Sequence, residues 1–165
     1  NLAVHDKNQV ELMSMGAVWR IFHAMDAHTE SMAVQEQACV ALKNLANNDE
    51  NERKLIEFGV LDRIFRCMDM FPSQESIQSE GCAVLWSLAY DSENKEELMK
   101  QQAAVKILNA MERHEMSENV QYDACGALWS LATADNNQFG LMDIGAGEKL
   151  LKAMDCHKNS ERVQE

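Results

Sequence analysis

Cysteine has the most reactive side chain in this sequence and occurs five times. The cysteines are Cys39, Cys67, Cys82, Cys125 and Cys156. No two of them form a Cys-x-x-Cys pair, the spacing that zinc sites and redox centres use. Three of them recur at intervals of 43 residues, and positions related by this interval are called a column below. We expect free thiols, buried in that column, with no disulfide along it because successive units stand too far apart.

Histidines and carboxylates are the other candidates for catalysis or metal binding. His28, His114 and His157 follow an apolar segment and are predicted to close helices, where the helix dipole favours a partly charged imidazole. The acidic cluster within 91–97 falls at the start of a predicted helix, where the dipole stabilises carboxylates. The sequence contains no Gly-rich phosphate loop, no His-Glu-x-x-His and no nucleophile elbow. We therefore expect no catalysis, no cofactor and no metal site.

The aromatic residues Trp86, Tyr90, Tyr122 and Trp129 are suited to holding another protein. Such rings bury a large area and still donate hydrogen bonds, which is why they dominate many interfaces. Trp86 and Trp129 share a column with Lys43, and a position that tolerates a charge is not a sealed core position. The alternative is that the tryptophans pack between neighbouring structural units.

The predicted helix that carries these residues places them on its outward face. In the first such helix an apolar stripe consists of Val34, Ala38, Ala41, Leu42 and Leu45. Positions on the opposite side, spaced by three and four, face outwards. In three successive helices these outward positions, our predicted partner-binding residues, are Glu36, Lys43, Asn47, Ser79, Trp86, Tyr90, Tyr122, Trp129 and Thr133. For Asn47 an equal alternative is a cap at the helix end.

A repeat of 43 residues organises the whole sequence. Its clearest marks are the pairs Val34-Gln35, Ile77-Gln78, Val120-Gln121 and Val163-Gln164. The stretch VQEQACVALKNLA, which begins at Val34, matches VQYDACGALWSLA, which begins at Val120, at eight positions. A single unit cannot bury its own apolar stripes, so neighbouring units are predicted to stack and share a continuous core.

Each unit is predicted to contain three helices. The predicted N-cap residues of the first helix are Asp6, Asp49, Ser92 and Asp135, three of them in capping-box pattern. Glycine closes this helix at Gly16, Gly59 and Gly145, whereas Gln102 in the third unit predicts a less sharply bent junction. The third helix is predicted to begin near Ser31, Gln74, Ser117 and Ser160. One proline and seven glycines leave little material for hairpins, which favours an all-α fold.

This arrangement resembles the armadillo (ARM) repeat, with a capped short helix, a glycine turn, an apolar second helix and a third helix reading V-Q-x-x-A-x-x-A-L-x-x-L-A. HEAT repeats are less similar because they have two helices per unit. The resemblance implies a right-handed α-solenoid, or superhelix, whose third helices line a concave groove for peptides. It also implies a tryptophan column, here Lys43, Trp86 and Trp129, and an asparagine column, here Asn47, Tyr90 and Thr133. No unit has both residues, so the family's asparagine clamp on the peptide backbone is incomplete.

The period divides the chain into one array over 1–165. Residues 1–3 are predicted to end a partial repeat, the ranges 4–46, 47–89 and 90–132 are predicted full repeats, and 133–165 is predicted to be incomplete. Such ends are expected to leave apolar surface uncovered.

Charge restricts the expected partners. The chain has 27 acidic and 15 basic residues and a net charge of -12, which repels nucleic acids and anionic membranes. It contains no apolar run long enough to span a bilayer and no signal-peptide pattern in its first 30 residues. We therefore expect an intracellular, cytoplasmic protein, with the nucleus also possible, whose partners are neutral to basic proteins or peptides.

These observations favour a scaffold for protein-protein interaction, which binds an extended or helical segment of a partner along the concave third-helix face. Two alternatives stay open at this point. The array is a structural spacer that self-associates end to end in a larger assembly, or it is a regulatory module of a larger protein.

Overall fold

The computed structural model describes residues 5–165, which form twelve α-helices and no strand within that range. In chain order the helices are α1 (Asp6–Ser14), α2 (Ala17–Ala27), α3 (Met32–Ala46), α4 (Asp49–Glu57), α5 (Val60–Met70), α6 (Glu75–Leu88), α7 (Ser92–Lys100), α8 (Ala103–Arg113), α9 (Glu118–Ala132), α10 (Asp135–Asp143), α11 (Ala146–Cys156) and α12 (Glu161–Gln164). The predicted all-helical solenoid is confirmed. The predicted partial repeat at 1–3 lies outside the described residues, and the other repeat boundaries stay predictions.

The helices form successive sets of a short first, an eleven-residue second and a longer third helix, apart from the short α12. The third helices pack side by side, α3 on α6, α6 on α9 and α9 on α12. The second helices form a parallel row, α2 beside α5, α5 beside α8 and α8 beside α11. The apolar core fills the space between the two rows, with residues such as Leu42, Ile64, Leu85 and Ile107 almost fully buried.

The short first helices are capped one residue earlier than predicted. Asn48 accepts a hydrogen bond from the Glu50 backbone N–H at 3.1 Å, and Asp91 accepts from the N–H groups of Glu93 and Asn94 at 2.8 and 3.1 Å. The four predicted caps are instead the first helical residues, and the dipole still favours the three acidic ones there; these residues are Asp6, Asp49, Ser92 and Asp135. The predicted capping-box residue Glu52 bonds to the next unit rather than to its own cap.

The predicted difference at Gln102 is wrong. Gly16, Gly59 and Gly145 have φ of 76°, 80° and 85°, and Gln102 adopts the same left-handed conformation with φ 63°. Its N–H bonds to the Met99 carbonyl at 3.0 Å, as the glycine N–H groups bond in the other units. The packing of α7 on α8 imposes this turn, although a residue with a Cβ loses roughly 1–2 kcal/mol in it.

The glutamine of the recurring Val-Gln pair closes the second helix. The Gln78 side-chain amide donates to the carbonyls of Met68 and Phe71 at 2.8 and 3.0 Å. Gln35 and Gln121 make the same two bonds in their units and are almost fully buried. The last carbonyls of a helix lack hydrogen-bond donors within the helix, and the glutamine amide donates to two carbonyls there.

A different column of asparagines supplies hydrogen-bond donors to carbonyls near the end of the third helix. Asn51, Asn94 and Asn137 donate to the carbonyls of Leu45, Leu88 and Leu131 at 3.0 to 3.1 Å. Each bond crosses from a short first helix to the third helix of the preceding set. The column therefore ties successive units together.

No helix in the part of the chain described here is long and apolar enough to cross a membrane.

Candidate functional site

We call the nine predicted partner-binding residues the third-helix surface, because they lie on α3, α6 and α9 or within two residues after each of these helices. Four are exposed, namely Asn47, Tyr90, Trp129 and Thr133. Five are half-buried, namely Glu36, Lys43, Ser79, Trp86 and Tyr122. The strip of four exposed aromatic residues expected from the sequence is therefore divided between two exposed and two half-buried rings.

Trp86 packs between two third helices. Its indole lies on Gly126 of α9, where an added Cβ would stand 2.6 Å from three ring carbons. The ring also meets Tyr122 edge to face, with centroids 5.4 Å apart. Its Nε1 is buried and has no hydrogen-bond partner within 5–165. Ala83 occupies the column of Gly126 one unit earlier, so this glycine in mid-helix was the sequence signal for the contact.

Tyr122 continues this stack towards the end of the chain. The Arg162 guanidinium carbon of α12 lies 4.1 Å from the Tyr122 ring centroid, within range of a cation-π interaction. Trp86, Tyr122 and Arg162 thus form one contact across α6, α9 and α12. This contact stabilises the stacking of third helices and also forms part of the surface they present.

Two polar pairs also cross between third helices. Lys43 of α3 forms an ion pair with Glu80 of α6 at 2.5 Å, and the Ser79 hydroxyl donates to the Asp123 carboxylate of α9. Burial raises the pKa of Asp123, an effect that the Ser79 hydrogen bond opposes. The direct hydrogen-bond partner of the Asp123 carboxylate is the Ser79 hydroxyl, which carries no charge.

These pairs line an open groove of about 650 Å³. The groove is lined by Lys43, Glu75, Ser79, Glu80, Asn119, Asp123 and Arg162, among others. The lining has three carboxylates, those of Glu75, Glu80 and Asp123, and two cations, Lys43 and Arg162, which leaves an excess of one negative charge. A neutral or cationic side chain fits this environment better than an anionic one.

The four exposed residues lie near or just beyond the C-terminal ends of the third helices, and they are not part of the groove lining. The Trp129 side chain is 63% exposed and that of Tyr90 is 59% exposed. Thr133 donates to the Ser130 carbonyl of its own helix at 2.7 Å. Asn47 stands at the C-cap of α3 and accepts from the Ser87 hydroxyl at 2.9 Å, so it joins two units as well as ending a helix.

The cysteines are free, as predicted, but one close pair was missed. The sulfur atoms of Cys39 and Cys67 lie 3.9 Å apart between α3 and α5, and both side chains are buried. Their separation in sequence is not a multiple of the period, so column reasoning did not reveal it. Burial raises the pKa of Cys125 to about 11, which disfavours its reactive thiolate. Over residues 5–165, no group of three or more His, Cys, Asp or Glu residues is placed to hold a metal ion.

Comparison with known proteins gives one family. A family model described as the LRRK2 ARM repeat matches residues 50–165. The match includes the third-helix surface residues of α6 and α9, namely Ser79, Trp86, Tyr90, Tyr122, Trp129 and Thr133. No curated protein matches the chain. The armadillo repeat is a non-catalytic type of scaffold.

Proposed function

The chain belongs to the LRRK2 ARM repeat family, and on that premise we propose that it binds a segment of a partner protein along the third-helix surface. Armadillo arrays are repeat scaffolds of the kind used in protein interaction. The observation that carries the proposal is Trp129, a large aromatic side chain that is 63% exposed on α9, the helix that also contributes Asn119 and Asp123 to the open groove. Exposed aromatic residues at such positions are typical anchors of protein interfaces.

The opposite row of helices supports the choice of surface. The second helices use their charged residues on one another, as in the ion pairs from Arg63 to Asp26 and from Lys106 to Asp69. The third-helix surface instead has two exposed rings, Tyr90 and Trp129, and the groove between third helices adds the carboxylates of Glu75 and Asp123.

The chemistry of the groove suggests the class of partner. We propose an extended or helical segment that carries neutral and basic residues. Its basic side chain would lie near Asp123, and an apolar side chain would lie on Trp129. Adjacent helices stand roughly 10 Å apart, and an extended chain advances roughly 3.3 Å per residue. Each unit would therefore face two to three residues of an extended partner.

The test is peptide selection from a displayed random library against this chain, followed by titration calorimetry with a selected peptide. Substitution Trp129→Ala is expected to weaken binding at least tenfold, because truncation of an aromatic anchor commonly removes about 2 kcal/mol. The matched control is Phe139→Ala on α10, which removes a ring that is 83% exposed but stands outside this surface. Equal affinity of parent and Trp129→Ala, or a larger loss in the Phe139→Ala variant, would refute the proposal.

A further inference from the structure

A pair of cysteines lies in the core where two units meet, away from the third-helix surface. The sulfur atoms of Cys39 in α3 and Cys67 in α5 are 3.9 Å apart, and both residues are at most 2% exposed. The helix α3 belongs to the first set of helices and α5 to the second. The sulfur atoms of a disulfide are about 2.05 Å apart, so each of these atoms has to move by only about 1 Å to form one.

The repeat shows that packing alone does not require a thiol at position 67. The column of Cys39 has cysteine in three successive units, at Cys39, Cys82 and Cys125. The column of Cys67 has alanine in each of the other units, at Ala24, Ala110 and Ala153. A methyl group therefore occupies this place elsewhere in the array. Only the junction between the first two sets combines a cysteine from each column.

The surroundings make the two thiols unequal. The hydrogen bond with Cys39 lowers the pKa of the Cys67 thiol; burial opposes this shift, and the positive charge of Arg66 supports it. The same hydrogen bond and burial raise the pKa of Cys39. Cys67 is therefore the thiol of the pair that ionises more readily. The thiolate is the form of cysteine that reacts with oxidants.

We propose that Cys39 and Cys67 are a site of reversible oxidation, at which hydrogen peroxide converts the two thiols to a disulfide between α3 and α5. The Cys67 thiolate attacks one peroxide oxygen and breaks the O–O bond, which gives a sulfenic acid and hydroxide. The Cys39 sulfur then attacks the sulfenic sulfur, forms the S–S bond and breaks the S–O bond, which releases a second hydroxide. The two thiol protons convert both hydroxides to water. Two electrons pass from the sulfur atoms to the peroxide.

The disulfide ties adjacent units of the array together. A cross-link between residues 28 positions apart restricts the unfolded chain and thereby favours the folded one. The helix α3 also carries Lys43, which forms an ion pair with Glu80 of α6. The new bond adds a covalent link to this junction, so the oxidised chain resists separation of its first and second sets of helices.

Burial restricts which oxidants reach the pair. A brief local opening of the junction admits a molecule as small as hydrogen peroxide. Cys156 is instead exposed, and its oxidation would link separate molecules. The test therefore uses the whole chain with the substitution Cys156→Ser.

Peptide mapping by mass spectrometry identifies the bond. Dilute folded protein is treated with hydrogen peroxide, the remaining thiols are alkylated, and the digest is searched for linked peptides. The expected product is one pair of peptides joined through Cys39 and Cys67, with the intact chain lighter by two hydrogen atoms. Dithiothreitol is expected to return both thiols. The map needs no partner peptide, so its result is independent of the groove.

Thermal unfolding followed by circular dichroism measures the effect on the fold. Oxidation is expected to raise the midpoint by about 5–10 °C, because the cross-link restricts the unfolded chain. Cys67→Ala places at this position the residue that the other units have, and peroxide is expected to leave its midpoint unchanged. The matched control is Cys82→Ala, which removes another buried thiol but keeps the pair, so its midpoint is expected to rise on oxidation as that of the parent does.

Several outcomes would overturn the proposal. Cys39 and Cys67 could remain thiols after peroxide treatment, or Cys67 could go to sulfinic acid without any linked peptide. A disulfide that dithiothreitol does not reduce, or one that forms without raising the midpoint, would contradict a reversible tie within the native fold. An equal rise in the Cys67→Ala variant would assign the effect to another residue.

Discussion

Burial of the Glu52 carboxyl makes the stability of the fold depend on pH. Glu52 is only 3% exposed, and its side-chain oxygen accepts a hydrogen bond from the Asp91 N–H at 2.7 Å. Burial raises its pKa to about 7 from an ordinary value of 4.5, although the Asp91 hydrogen bond opposes the shift. The same column carries Gln9 and Gln138, which are neutral, and Lys95, which is charged. At position 52 it is burial that favours the uncharged form of the carboxyl.

The sign follows from the direction of the shift. The folded chain holds this proton more tightly than the unfolded chain, so the extra stability is fully present below pH 4.5. It is lost as pH rises from there to about 7, because the unfolded chain ionises first. One pKa unit corresponds to about 1.4 kcal/mol, and solvent at the edge of the site reduces the full value. We expect a contribution of about 1–3 kcal/mol.

Glu52→Gln tests this reasoning. The amide oxygen still accepts from the Asp91 N–H, while the ionisable group is removed. At about pH 8 the free energy of unfolding is expected to exceed that of the parent by about 1–3 kcal/mol, and the difference is expected to vanish towards pH 4.5. Urea titrations followed by circular dichroism measure the free energy of unfolding of parent and variant at each pH. Dilute protein is used because the isoelectric point is near 4.8, where the chain carries little net charge.

The control is Glu50→Gln, which changes an exposed carboxyl two residues away. The difference in free energy of unfolding between the parent and Glu50→Gln is expected to be the same at every pH. A Glu52→Gln variant that follows the parent at every pH would show that the buried carboxyl is not the titrating group.

Two further substitutions test the backbone and the packing. Gln102→Gly is expected to stabilise the fold by about 0.5–1 kcal/mol in urea titrations, because it relieves the left-handed strain at φ 63°. Gln101→Gly, at φ -83°, is expected to destabilise it instead. Gly126→Ala is expected to cost about 1–3 kcal/mol and to change tryptophan fluorescence, because the new methyl displaces the indole that lies on it. Gly140→Ala, which meets only an ordinary contact at 3.6 Å, is expected to be neutral or stabilising, and the reverse order of the two effects would refute the packing argument.

The repeat made much of the fold predictable. Gln35, Gln78 and Gln121 share a column and make the same two bonds in their units. The period also identified the helices that carry the third-helix surface. Its binding role stays a prediction, because exposure alone does not identify a ligand.

The errors arose where one column contains different residue types. Gln102 lacks the freedom of glycine, yet packing of the adjoining helices forces it into the same turn. The caps at Asn48 and Asp91 differ from the predicted positions by one residue, since a polar side chain on either side of a helix start looks alike in sequence.

The sequence by itself determined that the chain is an array of equivalent helical units, because a fixed interval between similar residues requires no knowledge of distances. Tertiary structure alone decided which residues of neighbouring units meet. Trp86 lies on Gly126, Cys39 lies beside Cys67, and Glu52 accepts from the next unit because helices pack at an offset that the period does not encode. Contacts between units depend on side-chain volume and helix orientation, and only the folded chain combines the two.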